Sequence, residues 1–138
     1  MPRTLEVMIV DDEPTVGKRL APALAKIGCE VEIFVNPTEA MYRIDQKEFD
    51  IVITDVVMKE ATGVQVLEHV MRASPRTKVI MITGYAMMSL ARDAMEKGAF
   101  DFVAKPFQLH ELRRVVLRAA EALGVEPVSA YVNGLDDL

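Results

Sequence analysis

One cysteine, Cys29, stands in 138 residues. A lone thiol closes no intramolecular disulfide, so a buried core must hold the fold, and a reducing compartment suits the chain. Lysine and arginine number 16 against 21 acids, which leaves a net charge of −5, and no basic run occurs. That balance argues against a nucleic-acid surface. No apolar run approaches the roughly 18 residues of a membrane span. The opening residues, Met1 to Glu6, lack the long apolar segment of a secretion signal. The expectation is a cytoplasmic protein with no membrane and no nucleic acid among its direct contacts. Internal repeats and low-complexity tracts are absent too.

What is present is apolar and regularly spaced. A hydrophobic content of 51% over this length supports one core without staples. The chain is organised around Asp50-Ile51-Val52-Ile53-Thr54-Asp55. Its consecutive branched aliphatics read as a strand buried on both faces, ending at Asp55. Similar runs are Glu6–Val10, Glu30–Val35, Val79–Ile82 and Phe100–Ala104. Between them lie helical patterns. The first starts at Pro14, carries Val16, Leu20, Leu24 and Ile27, holds Pro22 as an interior breaker and stops at Gly28. Asn36-Pro37-Thr38-Glu39 has the form of a strong helix start. Further helices follow Gly63, run from about Met87 to Lys97, and span Leu109 to Leu123 before Gly124.

Five βα units in a row imply an α/β fold: a five-stranded parallel sheet, doubly wound, with right-handed crossovers. The natural strand order is 2-1-3-4-5, with the switch point between the first and third strands. Asp11 and Asp12 then lie beside Asp55, while Thr83 and Lys105 arrive at the same edge. Two like charges about 4 Å apart repel by roughly 4 kcal/mol at an effective dielectric near 20. Three acids there need a cation, or one of them stays protonated. Carboxylates without nearby His or Cys select a hard cation, and few ligands with retained waters favour Mg²⁺ over Ca²⁺. Lys105, the Thr83 hydroxyl and the Gly84 amide complete a set suited to three phosphoryl oxygens, with Asp55 as nucleophile.

These features together resemble a response-regulator receiver domain, with the flavodoxin-like (βα)5 fold, over residues 5 to 123. The resemblance rests on Asp11-Asp12, Asp55 with Met58 and Gly63 behind it, Thr83-Gly84, and Lys105-Pro106-Phe107. Thr83-Gly84-Tyr85 and the run Phe100 to Phe107 look most like nitrogen-regulatory receivers. The resemblance implies a two-component signalling switch, not an enzyme in the usual sense, whose Asp55 is phosphorylated by a histidine kinase or phosphotransfer protein. It implies Mg²⁺ held by Asp12, Asp55 and the Val57 carbonyl, with Asp11 mostly through water. It also implies a cis Lys105–Pro106 peptide and Thr83 and Phe102 as switch residues. The implied contact face is the fourth helix, fifth strand and fifth helix, facing a downstream protein or output domain and open to homodimerisation. Val57 and Tyr85 flank the entrance and are expected to tune hydrolysis. Lys59, where proline is usual, Thr62, where an acid is common, and Phe102, often Tyr, depart from the family pattern.

Rival readings turn on particular residues. A flavodoxin-like FMN protein would cradle phosphate in its first loop, where Asp11-Asp12-Glu13 repels it. A Mg²⁺-dependent aspartyl-phosphate phosphatase would carry its nucleophile on the first strand. The alternatives kept are the receiver fragment of a longer transcription regulator and, second to it, that phosphatase. Residues 1–123 form the expected domain and 124–138 a tail or linker stump. In that tail Val125, Val128, Val132 and Leu135 fall at helical spacing, so a short docking helix with Tyr131 and Val132 as anchors is expected.

Overall fold

The computed structural model describes residues 2–127. Five apolar runs form one sheet: β1 (Leu5–Val10), β2 (Cys29–Phe34), β3 (Ile51–Asp55), β4 (Lys78–Thr83) and β5 (Asp101–Ala104). Their order in space is β2-β1-β3-β4-β5, and every neighbouring pair is parallel. The doubly wound arrangement read from the chain is therefore the one it adopts. The helices are α1 (Pro14–Ala25), α2 (Pro37–Gln46), α3 (Gly63–Ala73), α4 (Met88–Glu96) and α5 (Leu109–Ala122).

Alternation along each strand divides the core into two layers. Val7, Ile9, Ile51, Ile53 and Ile80 pack with Leu20 and Leu24 of α1 and Leu112 and Val116 of α5. Their chain neighbours Met8, Val52, Val79 and Met81 face the other way, onto Ile44 of α2, Leu67 and Val70 of α3, and Ala94 of α4. A strand covered on both faces has no polar side, which is why these runs are continuously apolar.

Local signals set the helix ends. Asn36 Oδ1 accepts from the amides of Thr38 at 2.8 Å and Glu39 at 3.1 Å, with Pro37 opening α2. Thr62 and Gln65 form a reciprocal capping box at the start of α3. Gly28 leaves α1 with φ of +90°, a conformation that favours glycine and turns the chain into β2. A 3-10 turn, Tyr85–Met87, precedes α4, so the helix expected from Met87 begins one residue later. β2 ends at Phe34, leaving Val35 beyond the strand and exposed.

Glu126–Pro127, the last described residues, are extended and pair in parallel with Pro2–Arg3. Proline has no N–H to give a helix, whereas its fixed φ suits an edge strand. Tyr131, Val132 and the rest of the proposed docking segment lie outside the described residues.

At the amino edge of the sheet, Asp50 is buried and accepts from Arg3 through two nitrogens at 2.9 and 2.7 Å, from Arg76 at 2.9 Å and from the Glu6 amide at 2.8 Å. Burial works to raise this carboxyl. Arg3, the Glu6 amide and Arg76 outweigh it and hold the group below the usual carboxylate range. Asp50, which merely preceded the central strand in the sequence, thus ties Arg3 and Arg76 to the sheet edge opposite Asp55.

Candidate functional site

β1 hands over to Asp11 and Asp12, and β3 ends in Asp55. One carboxylate oxygen from each lies within 4.8 Å of the others. Among the described residues, this is the one group of three such side chains placed to share an ion. Asp11 is 2% exposed. Its Oδ1 accepts from the Glu13 amide at 2.9 Å, while its Oδ2 is buried with no hydrogen-bond partner. Asp12 Oδ2 accepts from the Lys59 amide at 3.0 Å. Lys105 Nζ stands 3.7 Å from Asp11 Oδ2 and 3.7 Å from Asp55 Oδ2. Those distances exceed a direct hydrogen bond, so the ammonium attracts both acids without satisfying either.

An orphaned carboxylate oxygen inside a protein is costly, and a cation among the three acids would satisfy it. The donor set is all oxygen, which fits a hard divalent ion. Burial pushes the Asp11 carboxyl up, the Glu13 amide opposes this, Asp55 adds to it and Lys105 opposes it. Burial likewise raises Asp55, against Lys105 and the amides of Val56 and Val57.

These shifts carry a sign. A carboxyl with a raised folded-state pKa contributes stability that is complete below its ordinary value and is lost as pH rises through the raised one. In metal-free buffer, the share from Asp11 and Asp55 should therefore decline as pH climbs above the ordinary carboxylate value near 4. Asp50, being lowered, has its window on the other side, where its contribution is lost on further acidification. Urea midpoints from pH 4 to 7 should fall more steeply for the native chain than for Asp55→Asn. Equal slopes would contradict the assignment.

The remaining groups arrive from the next two strands. Thr83 ends β4, fully buried, and its hydroxyl donates to the Gly84 carbonyl at 3.1 Å. A Cβ at Gly84 would meet no protein atom within 4 Å, so the approach to its amide is open. Tyr85 begins the 3-10 turn that follows. Phe102, on β5, is half-buried against the layer that contains α3 and α4. The Lys105–Pro106 peptide is cis. Val57 is 47% exposed at the rim and bridges to Thr62.

Gly63, one of the residues that carry the resemblance, makes a close approach: its amide donates to the Val56 carbonyl at 2.7 Å, and a Cβ there would overlap the carbonyl oxygen of Asp55. The Lys59 amide was not legible in the sequence, because a backbone donor leaves no trace in residue type. His69 and His110 stay out of the site; His69 pairs instead with Asp45 at 2.8 Å, across α3 and α2.

The sequence profile of the response regulator receiver domain matches residues 7–117. The chain belongs to the response regulator receiver domain family. Such receivers are signalling switches of two-component systems, and the relatives of this one include NtrC- and NtrX-type regulators. It is 37% identical over 115 residues to the regulatory protein AtoC of Escherichia coli strain K12, covering 83% of this chain and 25% of that protein. To the DNA-binding transcriptional regulator NtrC of Azospirillum brasilense it is 32% identical over 113 residues, covering 82% of this chain and 24% of that one. The solution structure of the beryllofluoride-activated NtrC4 receiver domain dimer superimposes with a TM-score of 0.80 at 30% identity, covering 86% of this chain and 98% of that one. The receiver thus spans about a quarter of the length of these curated relatives. Among its described residues, no helix is long and apolar enough to cross a membrane.

Proposed function

We propose that this receiver is a Mg²⁺-dependent phosphoacceptor switch, with Asp55 taking the phosphoryl group and residues 1–123 as the working unit. The observation that carries the reading is the buried, unpartnered Asp11 Oδ2 facing Asp12, Asp55 and the Lys105 ammonium. Asp11, Asp12, Asp55 and the Val57 carbonyl would hold the ion. When bound, it offsets the charge of the acids and of the incoming phosphoryl oxygens.

The donor is a phosphohistidine on a sensor kinase or phosphotransfer protein. An Asp55 oxygen forms the new P–O bond as the P–N bond breaks, and the departing imidazole nitrogen keeps the electron pair and takes up a proton. Lys105 lies close enough to follow charge from the carboxylate onto the phosphoryl group. Gly84 presents its amide to a phosphoryl oxygen, and Thr83 exchanges its bond to the Gly84 carbonyl for one to the same group. A buried hydroxyl that swings leaves room behind it, which Phe102 fills by turning inward. One phosphoryl group can drive this only if the two states differ by about a few kcal/mol. Val57 and Tyr85 govern access of water to the acyl phosphate.

The readout face is α4, β5 and α5, presented to a downstream partner in the cytoplasm or to an output domain joined beyond residue 124. The beryllofluoride-activated NtrC4 receiver domain is a dimer, which supports self-association of the activated domain. Incubating the chain with acetyl phosphate and MgCl₂ should add the mass of one phosphoryl group, and EDTA should prevent it. Labelling that is indifferent to EDTA would remove the metal from the reading. No labelling at all would remove the phosphoacceptor role.

A further inference from the structure

The Lys59 amide donates to Asp12 Oδ2 at 3.0 Å across 47 residues of chain, joining the loop after β3 to the loop after β1. We propose that Lys59 is a positioning residue for the cation site, acting through its backbone N–H on Asp12. The inference rests on the metal reading above. The Lys59 side chain is exposed, so the group that reaches the site is the amide. Asp11 and Asp12 then each accept a backbone hydrogen bond, Asp11 from Glu13 and Asp12 from Lys59.

The donor is held from below. Val57 bridges to Thr62, the Gly63 amide bonds the Val56 carbonyl at 2.7 Å, and Thr62 is tied into α3 by its capping box with Gln65. A loop stitched at its base offers the Lys59 N–H in a fixed direction. Asp12 is consequently oriented before a cation arrives, and the amide dipole offsets part of its repulsion from Asp11 and Asp55. Outer donors of this kind orient metal-binding carboxylates and are worth about 10- to 100-fold in affinity. The same bond sets the separation of the two loops that supply the ligands. A proline at position 59 could not do this, since it has no N–H.

Backbone amide NMR during titration with magnesium chloride alone tests the proposal without any phosphoryl chemistry. The native chain should give saturable shifts, and Lys59→Pro should bind with a Kd weaker by about tenfold. Lys59→Ala retains the N–H and should restore the native Kd. Proline also restricts the residue before it, here the buried Met58, so hydrogen exchange on the native chain provides a second arm. The Lys59 amide should remain protected when the site is saturated with Mg²⁺. An unchanged Kd in Lys59→Pro overturns the inference, and so does equal weakening in Lys59→Ala. Exchange of the Lys59 amide at the rate of an open loop overturns it as well. If the native chain shows no saturable shift, the metal reading falls first and the inference with it.

Discussion

Asp55→Ala is expected to take up no phosphoryl group from acetyl phosphate and MgCl₂ while keeping the fold. The side chain ends β3 at the carboxyl edge, and its burial serves the site rather than either core layer. Asp11 and Asp12 cannot substitute as nucleophiles in the same geometry. Neither follows the strand that faces Thr83 through β4. The stability effect should run the other way from the usual cost of a mutation. In metal-free buffer near neutral pH, removing one of three neighbouring acids relieves repulsion and ends the burial of a charge. The urea midpoint of Asp55→Ala should match or exceed that of the native chain, and added Mg²⁺ should narrow the gap by stabilising the native chain alone. A variant that gains a full phosphoryl mass, or one that unfolds, would end this account of Asp55.

Gly63→Ala should be among the most damaging single-methyl changes in this domain. The added Cβ would overlap the Asp55 carbonyl oxygen and crowd the Val56 Cα, 3.0 Å away. These are backbone atoms of a sheet strand and its continuation, which no rotamer change can move aside. Overpacking of this kind costs about 1–3 kcal/mol, and a backbone obstacle belongs at the upper end. Relief requires β3 and α3 to separate, which loosens Asp55 and the loop that carries Val57 and Lys59. The expected result is a urea midpoint lowered by the equivalent of about 3 kcal/mol, with phosphorylation slowed even where the chain remains folded. Gly17→Ala is the useful contrast. There the obstacle is the Ile33 side chain, 41% exposed at the edge of the sheet and free to turn. If both alanine variants shift the midpoint equally, close approach at Asp55 is not what glycine supplies at position 63.

The alternation of apolar runs and helical patterns was enough to determine the α/β class, the parallel sheet and its strand order. Those follow from local periodicity together with the handedness of βα crossovers, and both act on any chain patterned this way. The convergence of Asp11, Asp12, Asp55, Thr83 and Lys105 on one edge follows in turn, because every parallel strand delivers its last residue to the same side. What required the tertiary structure was contact made by backbone or by distant chain. The Lys59 amide on Asp12, the space denied at Gly63, and the orphaned Oδ2 of Asp11 depend on where main-chain atoms come to rest. The short ladder of Pro2–Arg3 with Glu126–Pro127 depends on two segments far apart in sequence meeting. Asp50 shows the principle most plainly. Its sequence neighbours mark the start of a buried strand, while its four donors come from Arg3, Glu6 and Arg76, residues that only folding brings around it.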